Sequence, residues 1–223
     1  KAAFADYDGD GWMDLYAGKL FHNEQGKAMS PVESSGLPGG EAIWGDYDND
    51  QRPDLFFFTG AGGLYRNMGE GKFEQVDFPE LPTVNSRGAV WGDFNQDGRL
   101  DLFVGGYEVW EQRVHPDVIF LNQPDGSFKE VWRSPEGACY SARGVAAADL
   151  NEDGKIDVYV SNYRLQPNHL WLNQGEGKFE ESAESYQAAG IGDGGTINYT
   201  GGIQYRVSVS YTHLTLPTNT VVE

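Results

Sequence analysis

Cysteine is nearly absent: Cys139 stands alone, so no intrachain disulfide can staple the chain, and it reads as a small buried hydrophobe rather than a nucleophile. Basic residues are scarce as well. Sixteen lysines and arginines face 34 acids, giving a net charge of −18 and an isoelectric point near 4.4, with no basic stripe. Such a chain repels phosphate backbones, which excludes nucleic acid as a partner. No apolar run is long enough to span a membrane, and no stretch shows the helical 3.6 period. HExxH and GxSxG are both missing, which removes two common hydrolase chemistries. "GEGK" at Gly69 and Gly175 lacks the spacing of a phosphate loop and reads as a hairpin turn.

What the chain has instead is aspartate at alternate positions. "DYDGDGWMDLY" places Asp6, Asp8, Asp10 and Asp14 at positions 1, 3, 5 and 9, with Gly11 at position 6. A hard cation such as Ca²⁺ takes six to eight oxygens, and a tight loop supplies them through alternate side chains, with the carbonyl at position 7, here Trp12, as the usual backbone ligand. Carboxylates this close repel one another unless a cation neutralises them. The alternative is a solvated Asx-turn without an ion. A calcium-binding helical hand would need Glu at position 12, where Ala17 stands, and the following "DLYAG" favours strand over helix.

The loop recurs in phase. "DYDNDQRPDLF" begins at Asp46, "DFNQDGRLDLF" at Asp93 and "DLNEDGKIDVY" at Asp149, spacings of 40, 47 and 56 residues that suit one four-stranded propeller blade. Between the loops lies a second repeated element: "LFHNEQGKAM", "LYRNMGEGKF", "IFLNQPDGSF" and "LWLNQGEGKF", each a strand, a turn after Asn23, Asn67, Asn122 or Asn173, and another strand. The second copy divides into "AIWG", "DLFFFTG", "GLYRN" and "KFEQV", and its apolar "LFFF" predicts a strand buried on both faces. The expected fold is all-β, a β-propeller of four-stranded blades, with about four blades and a partial fifth.

The phrases "WGDYDNDQRPDLF", "LYRNMGEGKFEQV" and "SRGAVWGDFNQDGRLDLF" resemble FG-GAP or VCBS repeats of the ASPIC/UnbV and cartilage-acidic-protein group, over nearly all of residues 1–190. The resemblance implies a secreted seven-bladed propeller with Ca²⁺ in the first hairpin of each blade. The implied ligands are Asp6, Asp8, Asp10 and Asp14; Asp46, Asp48, Asp50 and Asp54; Asp93, Asn95, Asp97 and Asp101; Asp149, Asn151, Asp153 and Asp157; with the carbonyls of Trp12, Arg52, Arg99 and Lys155. The second loop departs from the pattern, with Gln51 in place of glycine and Pro53 before the last acid, so it is expected to be the weak site. Four Ca²⁺ ions would bring the net charge from −18 to −10.

Residues 1–206 are read as propeller repeats and the chain as a fragment of a larger ring. Lys1 lies five residues before the first loop, so most of that blade's first strand is missing, along with any signal peptide. The tail "VSYTHLTLPT", Val209 to Thr218, looks like the translation of a transposon-derived sequencing adapter, and residues 207–223 are set aside as non-native; an ordinary strand is the competing reading. An open fragment leaves sheet edges at both ends, so the isolated chain is expected to associate; closure as a four-bladed ring is the alternative. "NYT" at Asn198 is a lone glycosylation sequon.

If the acidic loops join the first two strands of each blade, the loops between strands two and three lie on the opposite face. There Arg87 is in phase with Arg143 and Tyr107 with Tyr163, and the long loop "GGYEVWEQRVHPD" adds Trp110, Arg113 and His115. Arginine and aromatic residues on one face would offer a ligand surface. The plainer reading pairs the arginines with blade acids and packs the tyrosines between blades. His22 shares the slot of Arg66, Leu121 and Leu172 and is expected at the strand surface. The functional expectation is a calcium-binding, non-enzymatic scaffold of an exported protein, secreted, periplasmic or at the cell surface, that binds a protein or glycan. The alternative is a calcium-dependent polysaccharide lyase resembling the rhamnogalacturonan lyases, for which Arg87, Arg143 and His115 offer no clear base.

Overall fold

The computed structural model describes residues 2–60, 62–82, 86–109, 113–163 and 166–190. Within them the repeat becomes four four-stranded antiparallel sheets, each a simple meander. Blade 1 comprises β1 (Ala3–Ala5), β2 (Asp14–Tyr16), β3 (Leu20–Asn23) and β4 (Met29–Pro31). Blade 2 comprises β5 (Ala42–Gly45), β6 (Asp54–Phe57), β7 (Gly63–Gly69) and β8 (Lys72–Val76). Blade 3 begins with β9 (Ala89–Gly92) and β10 (Asp101–Val104), inserts a short hairpin of β11 (Glu108–Val109) and β12 (Arg113–Val114), and ends with β13 (Val118–Asn122) and β14 (Phe128–Arg133). Blade 4 comprises β15 (Ala142–Ala148), β16 (Asp157–Asn162), β17 (His169–Gly175) and β18 (Lys178–Glu181). A single 3₁₀ turn, Glu136–Ala138, is the only helical element among the described residues. The first strands neighbour one another in order, β1 beside β5, β5 beside β9 and β9 beside β15, which is the propeller arrangement. The expected partial fifth blade, Asn198 and the tail from residue 207 lie outside the described residues.

The blades adhere through alternation along each strand. Leu55, Phe56, Phe57 and Phe58 are all at most 1 % exposed, as a strand buried on both faces requires. Leu55 and Phe57 join Tyr7, Tyr16 and Leu20 between blades 1 and 2, while Phe56 and Phe58 join Leu102, Val104 and Phe120 between blades 2 and 3. At roughly 1.5–3 kcal/mol for each fully buried large apolar side chain, this one run supplies on the order of 6–12 kcal/mol before chain entropy is counted. Phe103 and Ile119 meet Val158, Val160 and Trp171 between blades 3 and 4. The segments that follow each fourth strand seal the seams, Val32 and Leu37 in the first, Phe78 and Leu81 in the second. The WG dipeptide has a packing reason: a Cβ on Gly45 would lie 2.5 Å from the Trp91 indole nitrogen, so glycine is what lets the next blade's tryptophan lie across β5.

Blades 3 and 4 share a polar weld. Asp117, 2 % exposed, accepts the Gly106 N–H at 2.7 Å and the Trp171 indole N–H at 3.1 Å. His169 stacks on Tyr140 with ring centroids 4.7 Å apart and its Nδ1 is 3.7 Å from the same carboxylate.

Candidate metal centres and the opposite face

Each acidic loop winds around the carboxylate of its first aspartate. Asp6 accepts the N–H groups of Gly9, Asp10 and Gly11 at 2.8–3.1 Å. Asp46, Asp93 and Asp149 accept those of residues 50 and 51, 97 and 98, and 153 and 154 in the same way. The fifth-position acid closes an Asx turn by accepting the N–H of Trp12, Arg52, Arg99 or Lys155. This curl needs a left-handed residue at position 6: Gly11, Gly98 and Gly154 have φ of 89°, 83° and 83°, and Gln51 is held at 71°. The departure noted in the second loop is thus accommodated as backbone strain, with the turn preserved.

The ninth-position acids do something the sequence reading did not anticipate. Asp14, Asp54, Asp101 and Asp157 are completely buried, and each carboxylate spans two backbone N–H groups. One oxygen accepts from the second residue of its own loop (Tyr7, Tyr47, Phe94, Leu150). The other accepts from the asparagine ending the third strand (Asn23, Asn67, Asn122, Asn173). That asparagine then reaches across the seam. The Nδ2 groups of Asn67, Asn122 and Asn173 donate to the carbonyls of Tyr7, Tyr47 and Phe94 in the preceding blade at 2.7–2.8 Å. A chain of backbone, carboxylate, amide and backbone therefore ties loop to strand and blade to blade. Burial pushes Asp54 up to about 7 and Asp101 up to about 6, against the N–H bonds that favour their charged forms; burial raises Asp14 as well. Side chains at position 4 add a lateral tie, with Asn49 donating to Gly98 O and Gln96 to Gly154 O at 2.7 Å.

Cationic side chains neutralise part of each cluster. Arg52 pairs with Asp50, Arg99 with Asp97, and Lys155 with Asp153 at 2.7 Å. Arg66 Nε lies 2.7 Å from Asp48, and His22 Nδ1 lies 3.1 Å from Asp8 and 3.4 Å from Asp14. His22 is therefore turned into the first loop, which corrects its expected place as an ordinary surface strand residue. The rule behind it is visible in the sequence: where position 3 is Asp8 or Asp48, the third-strand slot holds His22 or Arg66, and where it is Asn95 or Asn151, the slot holds Leu121 or Leu172.

The donor set suits a hard cation. One oxygen each of Asp6, Asp8 and Asp10 lies within 4.8 Å of the others, and so do those of Asp46, Asp48 and Asp50. Asp48 Oδ1 is buried without a hydrogen-bond partner. The first loop has Trp12 where the others carry Arg52, Arg99 and Lys155, and His22 lies against Asp8 and Asp14. In the second loop two arginines already sit on the acids that a metal would use.

The strand registers put the opposite ends of the blades on the other face, and there Arg87, Tyr107, Arg143 and Tyr163 come together. The Arg87 guanidinium lies 5.6 Å from the Tyr107 ring centroid, and that of Arg143 lies 5.1 Å from Tyr107 and 4.1 Å from Tyr163. Arg87 also approaches Glu41 of blade 2 at 3.6 Å. Both tyrosine rings lie against arginines, Tyr107 against Arg87 of its own blade and Arg143 of the next, and the pairing of Arg87 with a blade acid matches the plainer reading. Trp110 and the side chain of Arg113 lie outside the described residues. Cys139 is partly buried, its Sγ 3.4 Å from the Pro135 carbonyl and its thiol pushed up by burial. No helix among the described residues is long and apolar enough to cross a membrane.

Comparison with known proteins agrees with this architecture. Residues 46–104 and 109–160 match the family described as FG-GAP-like repeat. Over 59 residues, 26 % of this chain and 9 % of the relative, the sequence is 37 % identical to cartilage acidic protein 1 of Xenopus tropicalis. A solved structure of an Agrocybe aegerita lectin, described as recognising non-reducing terminal N-acetylglucosamine, is similar with a TM-score of 0.49 at 19 % identity, over 81 % of this chain and 51 % of that one. The chain thus spans about half of the lectin and a tenth of the curated relative. Four in-phase blades, each with its acidic hairpin and crossing asparagine, place this chain in the FG-GAP-like repeat family of β-propellers.

Proposed function

We propose that this propeller is a Ca²⁺-stabilised, non-enzymatic scaffold of an exported protein that presents its second-to-third-strand face to a protein or glycan. The observation that carries the metal part is the first loop: three converging carboxylates with neither lysine nor arginine in the in-phase position that neutralises the other loops. Asp6, Asp8 and Asp10 would hold the ion with the Trp12 carbonyl; the third and fourth loops follow, and the second ranks last because Arg52 and Arg66 occupy its acids. Asp14 and its counterparts support the site from behind by fixing the loop backbone. A bound Ca²⁺ would relieve the mutual repulsion of the acids and stiffen the hairpin. Extracellular calcium modules work at roughly 10⁻⁴–10⁻³ M, concentrations found outside the cytosol, and this supports export.

Titration calorimetry of the EDTA-stripped chain with Ca²⁺ tests the reading. Submillimolar binding that weakens at least tenfold in Asp8→Asn is expected, with Arg66→Ala strengthening the second site. A chain that is folded yet takes up no Ca²⁺ at 5 mM, about five times the weaker end of that range, contradicts it. Release of unsaturated uronate from pectic substrates, followed in the ultraviolet, would instead favour a lyase.

A further inference from the structure

We propose that the outer face of blade 1 docks blade 4 of a second copy of this chain, head to tail. Each seam between described blades joins two in-phase sets of side chains. The receiving set occupies four positions: two before the loop's first aspartate, one after its ninth-position acid, and two before and six after the asparagine of the third strand. Blade 2 meets blade 1 with Trp44, Leu55, Tyr65 and Phe73, and blade 3 meets blade 2 with Trp91, Leu102, Phe120 and Phe128. Blade 4 meets blade 3 with Ala147, Val158, Trp171 and Phe179. In blade 1 these positions hold Phe4, Leu15, Phe21 and Met29, the same apolar face. It stands open: Phe4 is 57 % and Met29 42 % exposed, whereas Phe73 and Phe128, in the phase of Met29, are buried. An open apolar face of this kind is an interaction surface.

The opposing set identifies the occupant. Tyr7, Tyr16 and Leu20 of blade 1 fill the first seam, and Tyr47, Phe56 and Leu64 of blade 2 fill the second. Phe94, Phe103 and Ile119 of blade 3 fill the third. Blade 4 holds Leu150, Tyr159 and Leu170 in the same phase. There they pack with Ala183, Ala188 and Ala189 of the segment after β18, much as Val32 and Leu37 line the first seam. Among the described residues that core contains no side chain of blade 1, so one receiving half and one opposing half lack their mates. A second copy supplies both, in the residue types and spacing that already mate at three seams within the chain. The contact stacks sheet faces, whereas the sequence pointed to open strand edges. Because the two halves differ, such contacts either close or run on as a filament. Two copies bring eight blades, within the range of closed propellers, so the closed pair is the expected product. Each copy carries a net charge of −18, so screening by salt favours the pair.

The test is sedimentation equilibrium of the full chain in 2 mM Ca²⁺, from about 1 to about 100 µM and in low and high salt, with amide exchange on the same samples. The mass should climb from one chain, 24.6 kDa, towards two, at lower concentration in high salt. Exchange should slow with concentration both in β1 and in residues 182–190. Phe4→Glu places a charge on a side chain that is exposed in the single chain, and it should weaken association at least tenfold while the chain still melts cooperatively. Met29→Glu serves if Phe4→Glu fails to fold. Met68→Glu, the same change at an exposed methionine of the blade 2 hairpin, should associate as the parent does. A single chain at every concentration overturns the proposal, as does association unaltered in folded Phe4→Glu and Met29→Glu. Protection confined to blade 1, which two blade 1 faces packed on each other would give, overturns it as well.

Discussion

Truncating Asn67 measures the cross-blade tie. Its Nδ2 serves two carbonyls, Tyr7 at 2.8 Å and Pro53 at 3.1 Å, and its Oδ1 accepts the Gly69 N–H at 2.9 Å. Asn67 is fully buried, so Asn67→Ala leaves three groups short of a partner, the Tyr7 carbonyl in a buried setting and the Pro53 carbonyl and Gly69 N–H in part-buried ones. At about 1–3 kcal/mol for each orphaned buried group, and with incomplete additivity, the expected cost is about 3–5 kcal/mol. The chain contains its own control. Asn23 holds the same phase and makes the equivalent turn bond to Gly26 N and a bond to Met13 O, but it has no bond to another blade and is partly exposed. Asn23→Ala should therefore cost about 1 kcal/mol. Calorimetric melts in Ca²⁺ should show Asn67→Ala melting roughly 6–20 °C below the parent and Asn23→Ala a few degrees below, at about 2–4 °C per kcal/mol for a domain of this size. Equal shifts in the two variants would refute the idea that the asparagine ladder joins the blades.

Other outcomes follow from the same geometry. Gly45→Ala puts a methyl 2.5 Å from Trp91 Nε1 and should destabilise by about 1–3 kcal/mol, with a change in tryptophan emission; an unaltered melt would mean that the seam has slack. Gln51→Gly removes a left-handed non-glycine residue and should raise the melting midpoint by a few degrees, about 1 kcal/mol; a lower midpoint would contradict the strain argument. Burial raises Asp54 to about 7 and Asp101 to about 6, above the ordinary value of 3.8, so the folded chain takes up protons that the unfolded chain takes up only at lower pH. In EDTA, stability should therefore rise as pH falls from 8 towards 5; a midpoint that falls over this window would show that the N–H bonds keep both acids ionised.

The strands and the four-fold repeat were legible because aspartate spacing and two-residue alternation are local signals, and Leu55 to Phe58 announced a doubly buried strand by apolarity alone. One role of the aspartates was not legible. That a carboxylate spans two backbone N–H groups cannot be read from a string, so Asp14, Asp54, Asp101 and Asp157 read only as further members of the candidate ligand set with Asp6 and Asp8. Asn67, Asn122 and Asn173 read as turn formers because their second role depends on a neighbour some 60–80 residues away. The pairing of His22 with Asp8 and Arg66 with Asp48 could have been found, since these two slots turn to leucine wherever position 3 is asparagine. The short β11–β12 hairpin follows from tertiary setting, its strands being only two residues each.

The central claim is that cations close the acidic hairpins and thereby hold the blades. Thermal melts of the chain in 2 mM Ca²⁺, in EDTA and in 2 mM Mg²⁺ address it directly, because a ligand that binds only the folded state must raise the midpoint. The account predicts a rise of many degrees in Ca²⁺, little in Mg²⁺, and most of the gain lost in Asp8→Asn with Asp10→Asn. Identical midpoints in Ca²⁺ and EDTA for a chain that melts cooperatively would mean that the arginines, Lys155 and backbone N–H groups suffice for the loops, and the calcium account would be wrong.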